Sequence, residues 1–175
     1  MSKINFRGKS AADILRETGQ ENSIPVNLNE ILHKLGISAI AMDFSNIESM
    51  MPEYGHILGA MLTTKEGNTA IFYSSDQTRM PDHRYRFTIA HELGHCCIDG
   101  KGEHIEFRRD VDADNESERK ANIFAGELLI PLHQLEQVSR ELFLPTLKNL
   151  AAVFEVSETV MLARLKHLKR TDLYI

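Results

Sequence analysis

The segment Arg84–Ile98, RYRFTIAHELGHCCI, restricts the possible folds more than any other part of the chain. Read as a helix at about 100° per residue, it puts His91 and His95 about 40° apart and Glu92 about 60° beyond His95. Ile89, Ala90, Leu93 and Cys97 fall opposite them, and Phe87 and Ile98 close the circle. Every sector except that of the two histidines and Glu92 is apolar or small, which predicts a helix inside a core with one polar side. Burying two imidazoles and a carboxylate is costly without a partner. A metal ion supplies one.

HELGH at 91–95 is the His-Glu-x-x-His pattern. Histidines four residues apart on one helix face can present their nitrogens to a single Zn²⁺, while the glutamate beside the first reaches the attacking water without being a ligand. Such a site takes a third protein ligand. The form that draws it from a third histidine downstream is absent, because Ile98 and Lys101 stand at the required places. The ligand must come from another segment, and ESERKANIFAGELLIP (116–131) offers Glu116, Glu118 and Glu127. On the wheel Glu118 shares a face with Asn122, Ala125 and Leu129, whereas Glu116 and Glu127 lie opposite with Lys120. Glu118 is therefore the expected third ligand, and Asn122 the residue placed to orient a ligand by a hydrogen bond.

Other groups suggest less. Asp110, Asp112 and Asp114 alternate as in a calcium loop, but Asn115 stands where that loop needs glycine and Ala121 where it needs its last carboxylate. They read as a solvated approach to the helix. Cys96 and Cys97 are adjacent, cannot easily reach disulfide geometry, and have no third cysteine to pair with. They are expected to be small, reduced core residues, which suits the cytosol. No run approaches the roughly 18 apolar residues of a membrane span, and the N-terminus shows no apolar signal region, so a cytoplasmic location is expected. The net charge of −5 gives the surface as a whole no attraction for nucleic acid.

Along the chain, residues 9–19 and LNEILHKL, capped by Asn27 and stopped by Gly36, read as helices. Residues 37–42, 57–64 and 69–75 read as strands, the last two joined by a KEGN hairpin turn. FSNIESMMPEYGH reads as a loop and 99–115 as a polar, acidic stretch. Helices follow at 83–98, Glu116–Ile130 and PLHQLEQVSRELF. LPTLKNLAAVFEVSETVMLARLKHLKR closes the chain as two helices with a break at Glu155–Val156–Ser157. The expected class is α+β: a small, mainly antiparallel sheet packed with helices, including the one bearing the motif. Residues 1–140 are expected to form the main domain. Residues 141–175 are expected to form a helical tail that resembles a helix-turn-helix and packs on that domain. From Glu141 onward five Lys/Arg face four Asp/Glu, a balance that argues against direct DNA binding and for packing or partner docking.

RYRFTIAHELGH (84–95) followed by ERKANIFAGELLIP (118–131) closely resembles the ImmA/IrrE family of metallo-endopeptidases, and the resemblance extends over most of the chain. It implies a minimal zincin-like fold with a gluzincin-like His-Glu-x-x-His…Glu-x-x-x-Asn centre. In that centre His91, His95 and Glu118 hold Zn²⁺ and Glu92 is catalytic. It also implies a protein substrate, a helix-turn-helix transcriptional repressor encoded nearby, whose cleavage derepresses a mobile-element, stress or defence operon. A peptidase further needs a donor for the oxyanion; Tyr54, Tyr73, His83, His104 and Arg108 are the candidates. The rival expectation keeps the zinc but makes the chain a regulatory, DNA- or partner-binding module, or a toxin, with little proteolysis.

Overall fold

The run ILGAMLT forms strand β2 (Ile57–Thr63), and its lack of polar alternation has a structural cause. In the computed structural model β2 is an inner strand of a four-stranded sheet, covered on both faces. The structure describes residues 4–76, 78, 83–98, 104–109 and 116–175, with the side chains of Tyr54 and of 104–109 outside the description. Strand order is β1 (Ile37–Met42), β3 (Thr69–Ser74), β2, β4 (His104–Arg109). β2 pairs antiparallel with both β3 and β4, and β1 pairs parallel with β3. The sheet is mainly antiparallel, as expected, with one parallel pair at its β1 edge. The parallel pair arises because the chain crosses from β1 to β2 before returning through a hairpin into the place between them. That hairpin closes through Thr64 N–H donating to Asn68 O at 2.9 Å, with Gly67 at φ 79°.

Two stretches hold elements that were not foreseen. FSNIESMMPEYGH, expected as a loop, contains helix α3 (Ser45–Met50) and a 3-10 turn at Pro52–Tyr54. α3 is six residues long and fully buries none of them, so it leaves no apolar period to read. The polar stretch at 99–115 contains β4. Ile105 and Phe107 alternate there with polar neighbours, a strand signal hidden by the charges around it.

The remaining helices follow their caps. Ser10 and Asp13 form a capping box at the start of α1 (Ala11–Thr18). Asn27 caps α2 (Leu28–Leu35), which Gly36 ends at φ 69°. Next come α4 (Arg84–Ile98), α5 (Glu116–Leu129), α6 (Leu132–Glu141), α7 (Leu147–Phe154) and α8 (Glu158–Leu168). Thr146 and Ser157 cap the last two, and Glu155 in the left-handed region makes the break between them.

One large core holds the molecule. Ile14 of α1, Ile31 of α2, Met61 and Ile71 of the sheet, Leu93 of α4 and Leu128 of α5 are all buried in it. Phe154 of α7 and Leu165 of α8 belong to the same cluster, each fully buried. Such burial contributes about 1.5–3 kcal/mol per large side chain, so the terminal helices are held on their apolar faces. A smaller cluster, Phe44 with Ala60 and Phe72, lies on the other side of the sheet beneath α3.

Candidate metal centre

The middle of helix α4 is enclosed on all sides: every residue from Thr88 to Cys97 is buried. It runs between the sheet and α5, and glycine on each side lets it fit. On the sheet side, a Cβ at Gly59 of β2 would stand 2.6 Å from Thr88 Cγ2 and 3.0 Å from Glu92 Oε1. On the other side, a Cβ at Gly94 would stand 3.2 Å from Ala121 Cα and 3.3 Å from Ala121 O, both backbone atoms of α5. The two helices therefore cross at closest approach at Gly94 and Ala121. That crossing brings Glu118, one turn before Ala121, over the histidines.

The outcome is a tight group of donors. His91 Nε2 and His95 Nε2 are 3.1 Å apart. Glu118 Oε2 lies 3.2 Å from His91 Nε2, and Glu118 Oε1 lies 3.0 Å from His95 Nε2. His91 and His95 are 0% and 2% exposed, so neither can satisfy its nitrogen with bulk water. Three donors bound tetrahedrally to zinc at its usual 2.0–2.1 Å would stand about 3.3 Å from one another. The observed spacing, borderline-soft nitrogens and a hard carboxylate together match a zinc ion at the centre of the three. Among the described residues this is the group of His, Cys, Asp or Glu that could hold a metal.

Two further contacts brace the histidines. Asn122 Oδ1 lies 2.9 Å from His91 Nδ1. An amide oxygen can only accept, so Nδ1 carries the proton and Nε2 turns its lone pair toward the centre. Ser117 Oγ stands 3.4 Å from His95 Nδ1, the corresponding place on the second ligand. Ser117, Gly59 and Gly94 escaped the sequence reading: helix periodicity ranks residues by polarity and says nothing of close backbone approach.

The structure brings His91, His95 and Glu118 together, with Glu92 and Asn122 beside them. Glu92, 1% exposed, sits one residue from His91 against Gly59. Glu118 is half-buried over the histidines, and Asn122, expected on a buried face, is exposed while still reaching His91. Glu116 does not take part. It is exposed and pairs with Lys120 at 2.7 Å, and that partner holds its carboxyl below the usual range. Cys96 and Cys97 are buried core residues, as expected. Burial pushes the Cys97 thiol up to about 12. Of the oxyanion candidates, Tyr73 is the register partner of Gly59 and so lies on the α4 side of the sheet, while His83 is exposed just before α4. The side chains of Tyr54, His104 and Arg108 lie outside the description, as do Asp110, Asp112 and Asp114.

No described helix is long and apolar enough to cross a membrane. Neither comparison with curated proteins nor comparison with solved structures gives a match. The model of the IrrE N-terminal-like domain, a peptidase family, matches residues 32–166, more than three quarters of the chain and all of its metal centre. With that match added to the His-Glu-x-x-His helix and the Glu118 carboxylate as third donor, the chain belongs to the family of the IrrE N-terminal-like domain and is a metallopeptidase.

Proposed function

We propose that the chain is a cytoplasmic, zinc-dependent endopeptidase whose substrate is a helix-turn-helix transcriptional repressor encoded nearby. The observation that carries the chemical part is the convergence of His91, His95 and Glu118 within 3.0–3.2 Å, with Glu92 buried beside them. Family resemblance supports the repressor as substrate. When bound, zinc supplies a Lewis acid and lowers the pKa of water toward about 7. The protein residues have distinct tasks. His91, His95 and Glu118 hold the ion, and Asn122 keeps His91 in the tautomer that can bind it. Glu92, wedged between α4 and β2, takes the proton of the attacking water and hands it to the leaving amine. The absence of a side chain at Gly59 leaves room for that carboxylate.

The test is Glu92→Gln, in which the amide keeps the shape but cannot serve as a base. The variant should retain zinc and fold, while cleavage of the candidate repressor falls by at least about a hundredfold. Undiminished cleavage removes Glu92 from the mechanism. Failure of the wild-type protein to cut any repressor or peptide refutes the peptidase reading.

A further inference from the structure

Beside the metal centre lies a groove of about 710 Å³, between the start of α4, the outer side of α5, and α8. Pockets of about 300–1,000 Å³ are the usual size for enclosing a ligand. Asn122, the hydrogen-bond partner of His91, forms part of its wall. Phe87, whose ring centroid is 6.3 Å from that of His91, lines it too. The groove therefore begins one residue away from a metal ligand and leads off toward α8.

In a chain of net charge −5, the described residues of its lining include Arg84, Arg119, Arg164 and His167 and, among them, no Asp or Glu. Ile123 and Val160 give it an apolar floor. Helix α8 opens here, with its N-cap Ser157 in the wall, so the positive end of its dipole adds to the field.

Arg164 is the most telling of these residues. It is 6% exposed, and its Nε donates to Ile130 O at 3.2 Å. Its Nη1 is buried with no hydrogen-bond partner among the described residues, and the Glu127 carboxylate, at 3.8 Å, is too distant to accept. Gly126 lets the side chain lie close over α5, since a Cβ there would be 3.3 Å from Arg164 Cδ. Glu127 balances the charge, but Nη1 still lacks a hydrogen-bond acceptor. An arriving carboxylate can supply one, and a guanidinium fork suits a carboxylate well.

We infer that this groove is the part of the substrate cleft that receives an acidic side chain of the protein substrate, flanked by an apolar one, a short distance from the scissile bond. The inference rests on the peptidase reading above and adds a substrate class to it. Arg164 supplies the buried end of the contact and Arg119 the exposed rim. Binding through such a rim weakens as salt is raised.

The test uses zinc-loaded Glu92→Gln protein and fluorescein-labelled peptides of one apolar host sequence, with Glu or Gln placed at each position in turn. Fluorescence anisotropy at low salt reads binding, and the wild-type protein is tested for cleavage of the same peptides. Glu at one position should tighten binding at least about tenfold over Gln. Arg119→Glu and Arg164→Gln, each made in that background, should close the gap, with the Gln peptides changing by less than about twofold and zinc content unchanged. Should Arg164→Gln fail to fold, the exposed Arg119→Glu carries the test. Equal binding of Glu and Gln peptides overturns the inference, as does a preference that survives in every folded variant. Cleavage without any Glu preference sinks the groove alone. Glu-selective binding without cleavage of any peptide sinks the peptidase reading and leaves the groove standing.

Discussion

Asn122 Oδ1 accepts a hydrogen bond from His91 Nδ1 at 2.9 Å, and that contact decides which nitrogen of His91 faces the metal centre. It is the link between α5 and α4 that acts on a ligand without being one. Asn122→Ala should lower zinc affinity about 10–100-fold, as loss of such partners does elsewhere. Competition with a chromophoric chelator measures this. Asn122→Asp, which restores an acceptor, should recover much of the loss; unchanged affinity in Asn122→Ala would show that the contact does not tune the site.

Gly94 presents two opposed effects. Alanine in a helix interior is favoured over glycine by about 1 kcal/mol. Against this, the new methyl would stand 3.2 Å from Ala121 Cα and 3.3 Å from Ala121 O, backbone that cannot turn aside as a side chain can. Overpacking of this kind costs about 1–3 kcal/mol, so packing should win. Gly94→Ala should lower the urea unfolding midpoint and weaken zinc binding together, because spreading α4 from α5 draws Glu118 off the histidines. A stabilised variant with full zinc affinity would contradict the close-crossing account.

The metal centre was largely legible in the sequence because its residues obey a simple geometry. Two histidines four apart share a helix face, and Glu118 is the carboxylate of 116–131 that falls among Asn122, Ala125 and Leu129 rather than beside Lys120. The two helices of the tail, with a break at Glu155–Val156–Ser157, were legible too. The parallel pairing of β1 with β3 was not, because a strand's own residues do not state its neighbour's direction. Nor was β4, whose six residues carry four that are charged or titratable, or α3, whose brief turn buries nothing completely. The roles of Gly59 and Gly94 come from close approach between segments far apart in the chain, which no local pattern encodes.

Cys97 gives a pH dependence with a definite sign. Burial raises its thiol from 9.0 to about 12, with Lys9 acting weakly in the other direction. The unfolded chain therefore loses the proton first as pH rises, and this contribution to stability is present below about 9 and lost between there and about 12. Iodoacetamide at pH 8 should leave Cys97 unmodified in the native protein and label it in urea, as peptide mapping would report. Native labelling of Cys97 would show that α4 is less enclosed than described.

Metal content tests the central claim most directly. Protein purified without added metal should contain about one zinc per chain, as a single three-ligand site requires. His91→Ala and Glu118→Ala should lose it, and Glu116→Ala, which removes an exposed partner of Lys120, should keep it. Zinc missing from the wild-type protein, or retained by Glu118→Ala and lost by Glu116→Ala, would contradict the account.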